Sequence, residues 1–310
     1  MTEPRQHVPG QTALITRRTV LGLFLLRPDD YINQALRYET AKAAGRYDQH
    51  IHAACGLSNH VRLVATDTTG DRSDFMRDAM SGTARSRNRN LGRRGIFWGG
   101  GQYGDTVVLS ENKLEQKLLD TWLKPVKAGL VEHLEDWPGF MILPRHWGET
   151  MKVAVPPKYY GRNSPDVIEF TPQPPPGYDH MSLEEVKTYF QKLLDEAQQR
   201  IHDEHPDRSY KGAQVVRAEN PMNMPDKKAP KAGLMPRYAS DDEEMLHLAN
   251  QQYRRFVDAY ETQRQRWLKG QNATFPTGTI QLRKQAPVKC HRPEGDEEPA
   301  PLFGWLKYCS

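Results

Sequence analysis

His50-Ile-His-Ala-Ala-Cys-Gly-Leu-Ser-Asn-His-Val-Arg-Leu-Val-Ala-Thr66 is the stretch on which the fold turns. His50 to Ala54 is a short strand candidate. Asn59 to Thr66 is a second, with Val61, Leu63 and Ala65 alternating against Arg62 and Val64. The link Cys55-Gly-Leu-Ser-Asn59 holds turn formers. Upstream, Thr12 to Leu26 is rich in β-branched and aliphatic residues and reads as a strand, with Gly22 as a bulge or turn. Pro28, Asp29 and Asp30 then start a helix carrying Tyr31, Ala35, Leu36, Tyr38 and Ala41 at helical spacing, with Gly45 as its stop. Downstream, Phe75 to Asn90 reads as a polar, Arg-rich helix and Asp105 to Leu109 as a strand. Ser110 is expected to cap a helix from Glu111 to Leu123, which Pro125 breaks. The order β-α-β-β-α-β-α within about 150 residues suggests an α+β domain, a sheet with helices on one face.

Composition narrows the classes. The chain has 310 residues, 37% of them apolar, and a net charge of +4. That excess is too mild to imply a polyanionic partner, so the local distribution of charge must decide. Three cysteines, Cys55, Cys290 and Cys309, form neither a disulfide framework nor a CxxC metal site, which fits a reducing, cytoplasmic setting. The apolar run Val20 to Leu26 is too short for a bilayer and lacks a cleavage site after it, so a membrane or secreted class is not expected. Residues 151–180 are rich in Pro and read as an extended arm. Beyond it, Ser182 with Glu185 forms a capping box for a helix with Val186, Phe190, Leu194 and Ile201 on one stripe. Ser240 with Glu243 is expected to cap another, ending near Lys269.

Three segments carry chemistry. His60 and Arg62 lie two apart on a strand and share a face, but a guanidinium cannot donate a lone pair to a metal. Between Arg77 and Arg94 stand six arginines (Arg77, Arg85, Arg87, Arg89, Arg93 and Arg94) against one acid, Asp78, and Trp98 follows. Guanidinium groups neutralise phosphates and aromatic faces stack on unpaired bases, so this cluster is the candidate DNA contact. Gly99-Gly-Gly-Gln-Tyr-Gly104 matches no phosphate-binding motif and reads as a turn.

Taken in order, these segments resemble the tyrosine HUH transposases of insertion sequences, in particular the REP-associated type. The resemblance is carried by Ile51-His-Ala-Ala-Cys-Gly-Leu-Ser-Asn-His-Val-Arg62, by Arg93-Arg-Gly-Ile-Phe-Trp98 and by Leu123-Lys-Pro-Val-Lys-Ala-Gly-Leu-Val131 with the following Glu135-Asp-Trp-Pro-Gly139. It implies a ferredoxin-like antiparallel sheet, a single-stranded or hairpin DNA partner, a homodimer, a Mg or Mn ion held by two histidines, and a nucleophilic tyrosine. Carried over, the first metal ligand is His60; the second position holds Arg62, the tyrosine position holds Asp120, and Lys124 replaces a polar residue. Tyr103 is a substitute nucleophile by proximity alone.

The expected organisation is a loose N-terminus over 1–11, a transposase-like HUH domain over 12–150, a Pro-rich linker over 151–180 and a helical extension over 181–310. The expected function is recognition of single-stranded or hairpin DNA, with strand cleavage and rejoining impaired or absent. Two other readings stand beside it: an active single-strand endonuclease using substitute residues, and a catalytically silent module whose Pro-rich segment and C-terminal helices bind a protein partner.

Overall fold

The computed structural model describes residues 3–161, 163–225 and 235–291. Its centre is a six-stranded sheet built around the hairpin of β2 (Gln49–Leu57) and β3 (His60–Asp67). Ser58 and Asn59 make the turn, and Leu57 pairs with His60. The register shifts between Ile51 and Ala53, so His52 sits on a bulge. The far edge of β3 pairs with β1 (Gln11–Arg18), and β1 pairs in turn with β4 (Gly104–Val108), all antiparallel. A short β5 (Met141–Ile142) joins β2, and β8 (Tyr238–Ala239) adds to β4 in parallel, so the sheet is mixed and runs β5-β2-β3-β1-β4-β8.

Two helices connect the strands. The Asp29 carboxylate accepts from the Ile32 amide at 2.9 Å and starts α1 (Asp30–Tyr47); Asp48 ends it in the left-handed region. α2 (Arg72–Asn90) begins against the buried carboxylate of Asp67, which accepts from the amides of Gly70, Asp71 and Arg72 and from the Gln49 side chain. At Gly82, which faces α1, a Cβ would run into the Glu39 carboxylate, which would have to shift.

The strand expected from Thr12 to Leu26 ends at Arg18. Val20–Gly22 is a 3-10 turn, with Leu21 at a φ of 54° and 76% exposed, while Leu25 and Leu26 enter the core. The run is apolar because its second half is buried, not because it is extended. α3 (Glu111–Trp122) forms where its apolar spacing places it, but the Ser110 side chain makes no capping hydrogen bond. A short α4 (Lys124–Lys127) continues it past Pro125.

Residues 151–180 lie on the sheet domain. β6 (Met151–Ala154) and β7 (Val167–Phe170) form an antiparallel pair beside α1, where the Tyr38 hydroxyl donates to the Pro165 carbonyl at 2.8 Å. His52 Nδ1 bonds the Gln173 carbonyl at 2.9 Å. α5 (Leu183–Glu204) starts with the Ser182/Glu185 capping box and buries Val186, Phe190, Leu194 and Ile201, with Phe190 edge-on to Trp122 and Trp147. α6 (Ala213–Ala218) follows. α7 (Glu243–Leu268) is capped by Asp242 rather than Ser240, whose hydroxyl instead accepts from the Asp242 amide. One apolar core runs from Ala13 to Phe256, so the arm, α5 and α7 share it with the sheet. No described helix is long and apolar enough to cross a membrane.

Candidate nucleic-acid interface

Sheet register brings the central side chains together. Arg18 pairs with His60 and Thr16 with Arg62 across β1 and β3. Residues directly opposite one another in an antiparallel pair share a face, so these four point the same way. Lys124, at the start of α4, meets them, and Ser58 and Asn59 come from the β2–β3 turn. The result is a cavity of about 1000 Å³ that also takes Arg17 and, after α5, Lys211 and Asn223. Gly22 makes room for this: its φ is 73°, and a Cβ there would meet the Arg18 guanidinium at 2.8 Å.

The lining is cationic. Among the described residues, Arg18, Arg62, Lys124 and Lys211 face a single acid, Glu219, which is already paired to Lys211, while Arg17 borders the cavity from the opposite face of β1 and donates to the Gly101 carbonyl. His60 adds no charge at neutral pH. Burial, then Arg62, Lys124 and Arg18, push its pKa down to about 3. Its Nδ1 lies 2.7 Å from Asn59 Oδ1, an acceptor, so that nitrogen carries the proton. Burial lowers Arg62, with Asp120 pulling the other way; Lys124 is lowered by burial and then by Arg62. Arg62 thus acts on Lys124, and Asp120 is the acid whose charge reaches both. Among the described residues, Ser58 Oγ and Arg62 Nε are buried without a hydrogen-bond partner.

Asp120 is not in the cavity. It lies on the last turn of α3, 43% exposed and paired to Lys127. As a carboxylate it cannot form a phosphotyrosine. Tyr103 is no replacement: its hydroxyl is tied to Ser73 at 3.0 Å, Arg5 covers its ring, and burial raises its pKa. A divalent ion does not fit the donors present. His60 is the one imidazole among the lining residues, flanked by Arg62, Lys124 and Arg18, and among the described residues no three His, Cys, Asp or Glu groups converge.

The Arg77–Arg94 cluster separates into different roles. Arg87 is buried: it donates to the Leu25 carbonyl at 2.9 Å, Asn90 at 2.7 Å and Asp29 at 2.7 Å, and so serves as a structural tie, not a phosphate contact. Arg77 is paired to Asp74 and Asp78. Arg89 donates to the Tyr159 carbonyl at 3.2 Å, and Arg93 to Asn88 and the Ile96 carbonyl. Arg85 and Arg94 are exposed. Arg85 shares a shallow depression with Arg17, Ile96 and Trp98, whose indole donates to the Met80 carbonyl at 2.8 Å. Arg17 lines both this depression and the main cavity, so the two adjoin.

Sequence reasoning passed over Arg17, Arg18, Ser58 and Lys211. The signal for the first two was their place at the end of a strand whose register sets Arg18 against His60; nothing local marks Lys211.

No family model matches this chain, and no curated protein matches it. Among solved structures, one described as a REP-associated tyrosine transposase bound to a REP hairpin is similar at 21% identity, covering 47% of this chain and 85% of that one, with a TM-score of 0.39. A likeness of that size fixes neither fold nor function.

Proposed function

We propose that this chain binds single-stranded or hairpin DNA along the cationic cavity and no longer cuts or rejoins it. The observation that carries this reading is the cavity lining: among the described residues, four Arg and Lys side chains against one paired acid. Proteins whose cationic faces are merely solvated mix both signs; a concave, single-sign face suits a polyanion. The ordered segments that resemble tyrosine HUH transposases support DNA as that polyanion. On the resemblance, Asp120 and Arg62 stand at the positions of nucleophile and second metal ligand, which supports the loss of cutting. Arg85 and Trp98, reached through Arg17, extend the surface toward an unpaired base. Each subunit of a homodimer would carry one such cavity.

Fluorescence anisotropy with a hairpin and a single-stranded oligonucleotide tests this. With Lys211 neutralised by Glu219, three cations remain, so log K should fall against log salt with a slope of about −2, roughly 20-fold between 50 and 200 mM. Incubation with Mg²⁺ or Mn²⁺ should leave no covalent adduct. Affinity indifferent to salt would refute the binding, and an adduct would restore the active-nuclease reading.

A further inference from the structure

At the β2–β3 turn, unspent hydrogen-bonding capacity gathers beside unneutralised charge. Ser58 is 5% exposed, yet its hydroxyl has no partner among the described residues, and it lines the cavity. Arg62 Nε is likewise buried and unbonded. Lys124 lines the same cavity, and Arg62 disfavours its charge. The acid whose field reaches both, Asp120, is held outside by Lys127. Buried polar groups are normally satisfied, and buried charges are normally paired. Two cations and a hydroxyl donor, with Ser58 Oγ and Arg62 Nε unpartnered among the described residues, are complementary to one tetrahedral oxyanion.

Resting on the DNA-binding reading, we propose that Arg62, Lys124 and Ser58 hold one phosphate group of the nucleic acid directly, as fixed cations and a hydroxyl donor, so that this contact needs no divalent ion. Guanidinium and ammonium groups are permanent parts of the chain. They neutralise the phosphate charge without coordination and without loading, but they offer no open ligand position and no activated water. The site would therefore grip a phosphate without activating it. The phosphate comes either from within a strand or from a strand end, and both present the same anionic oxygens to these three donors.

The test measures binding of inorganic phosphate and of one oligonucleotide in 5′-hydroxyl and 5′-phosphate forms, each with Mg²⁺ and with EDTA. Wild type is compared with R62Q, K124Q, S58A and the double variant R17Q/R18Q, and thermal melting of each checks folding. EDTA should change wild-type affinity by less than twofold. R62Q and K124Q should each weaken DNA binding about tenfold and abolish the rise in melting temperature that phosphate gives the wild type. R62Q should melt no lower than wild type without ligand, because an unpaired buried cation has gone. A preference for the 5′-phosphate form would assign a strand end, and equal affinity an internal phosphate. If R62Q and K124Q bind DNA like wild type while R17Q/R18Q is weakened, the phosphate contact is refuted and the DNA reading survives. If phosphate binds at Arg62 but no oligonucleotide does, the DNA reading fails alone. Binding abolished by EDTA overturns the proposal.

Discussion

Replacing Arg87 by Ala tests whether this arginine belongs to the fold rather than to a ligand surface. Its side chain is 1% exposed, and three of its nitrogens donate at 2.7–2.9 Å, to the Leu25 carbonyl, Asn90 and Asp29. Leu25 is fully buried, so its carbonyl would be left without that donor, which costs about 1–3 kcal/mol. Asp29 would lose its main counter-charge. Burial pushes that carboxyl up, but Arg87, the Ile32 amide and Arg27 outweigh it and hold the carboxyl below its usual range. Asp29 is 25% exposed, so water screens part of this loss. Because Asp29 also caps α1, the effect spreads to the helix start. The total expected is about 3–5 kcal/mol, the range for removing one partner of a buried pair. R85A, two residues away but exposed, should fall within about 0.5 kcal/mol of wild type. Urea unfolding followed by circular dichroism reads both, at an unchanged slope. An R87A variant within 1 kcal/mol of wild type that had also lost DNA affinity would refute the structural assignment.

Other substitutions separate the remaining groups. Asp67→Ala removes a buried acceptor of four hydrogen bonds at the start of α2 and should destabilise by about 3 kcal/mol or more in the same unfolding assay. His52, fully buried, has its pKa pushed down from 6.5 to about 4, chiefly by burial. The unfolded chain takes up that proton as pH falls below 6.5 and the native state does not, so stability held above pH 6.5 is lost by pH 4, by about 3 kcal/mol for this residue. Melting curves across that window should show the loss, and H52Q should flatten it; a wild type equally stable at pH 7 and pH 4.5 would contradict the assignment. R62H places a second imidazole two residues from His60 on one strand face, so Mn²⁺ should raise the melting temperature of R62H and leave wild type unchanged.

Much of the fold is written locally. The presence of the β2–β3 hairpin, the start of α1, α3, and α5 with its capping box follow from turn residues, caps and apolar spacing, though Cys55–Leu57 belongs to β2 rather than to the expected turn and α1 runs through Gly45 to Tyr47. The end of β1 did not, because an apolar run looks the same whether it is extended or folded inward, and Leu25 and Leu26 are apolar for burial. The site was half legible. His60, Arg62, Asp120 and Lys124 could be singled out, but not that Lys124 enters the cavity while Asp120 leaves it, which depends on where α3 ends. Arg18 joins His60 only through strand register, a long-range property. On α2, Arg85 and Arg87 are two residues apart and so about 200° apart around the helix. Phase could have told them apart, since Arg87 continues the buried stripe of Phe75, Ala79 and Thr83.

The most direct test of the account is to map where DNA touches the chain. A hairpin oligonucleotide carrying photoreactive bases, cross-linked to the full protein and analysed by peptide mass spectrometry, should label segments that line the cavity: the end of β1 with Arg17 and Arg18, the turn from Ser58 to Arg62, and the start of α4 at Lys124. Labelling of α5 or α7 alone, with these three segments untouched, would contradict the claim that the cationic cavity is the nucleic-acid site.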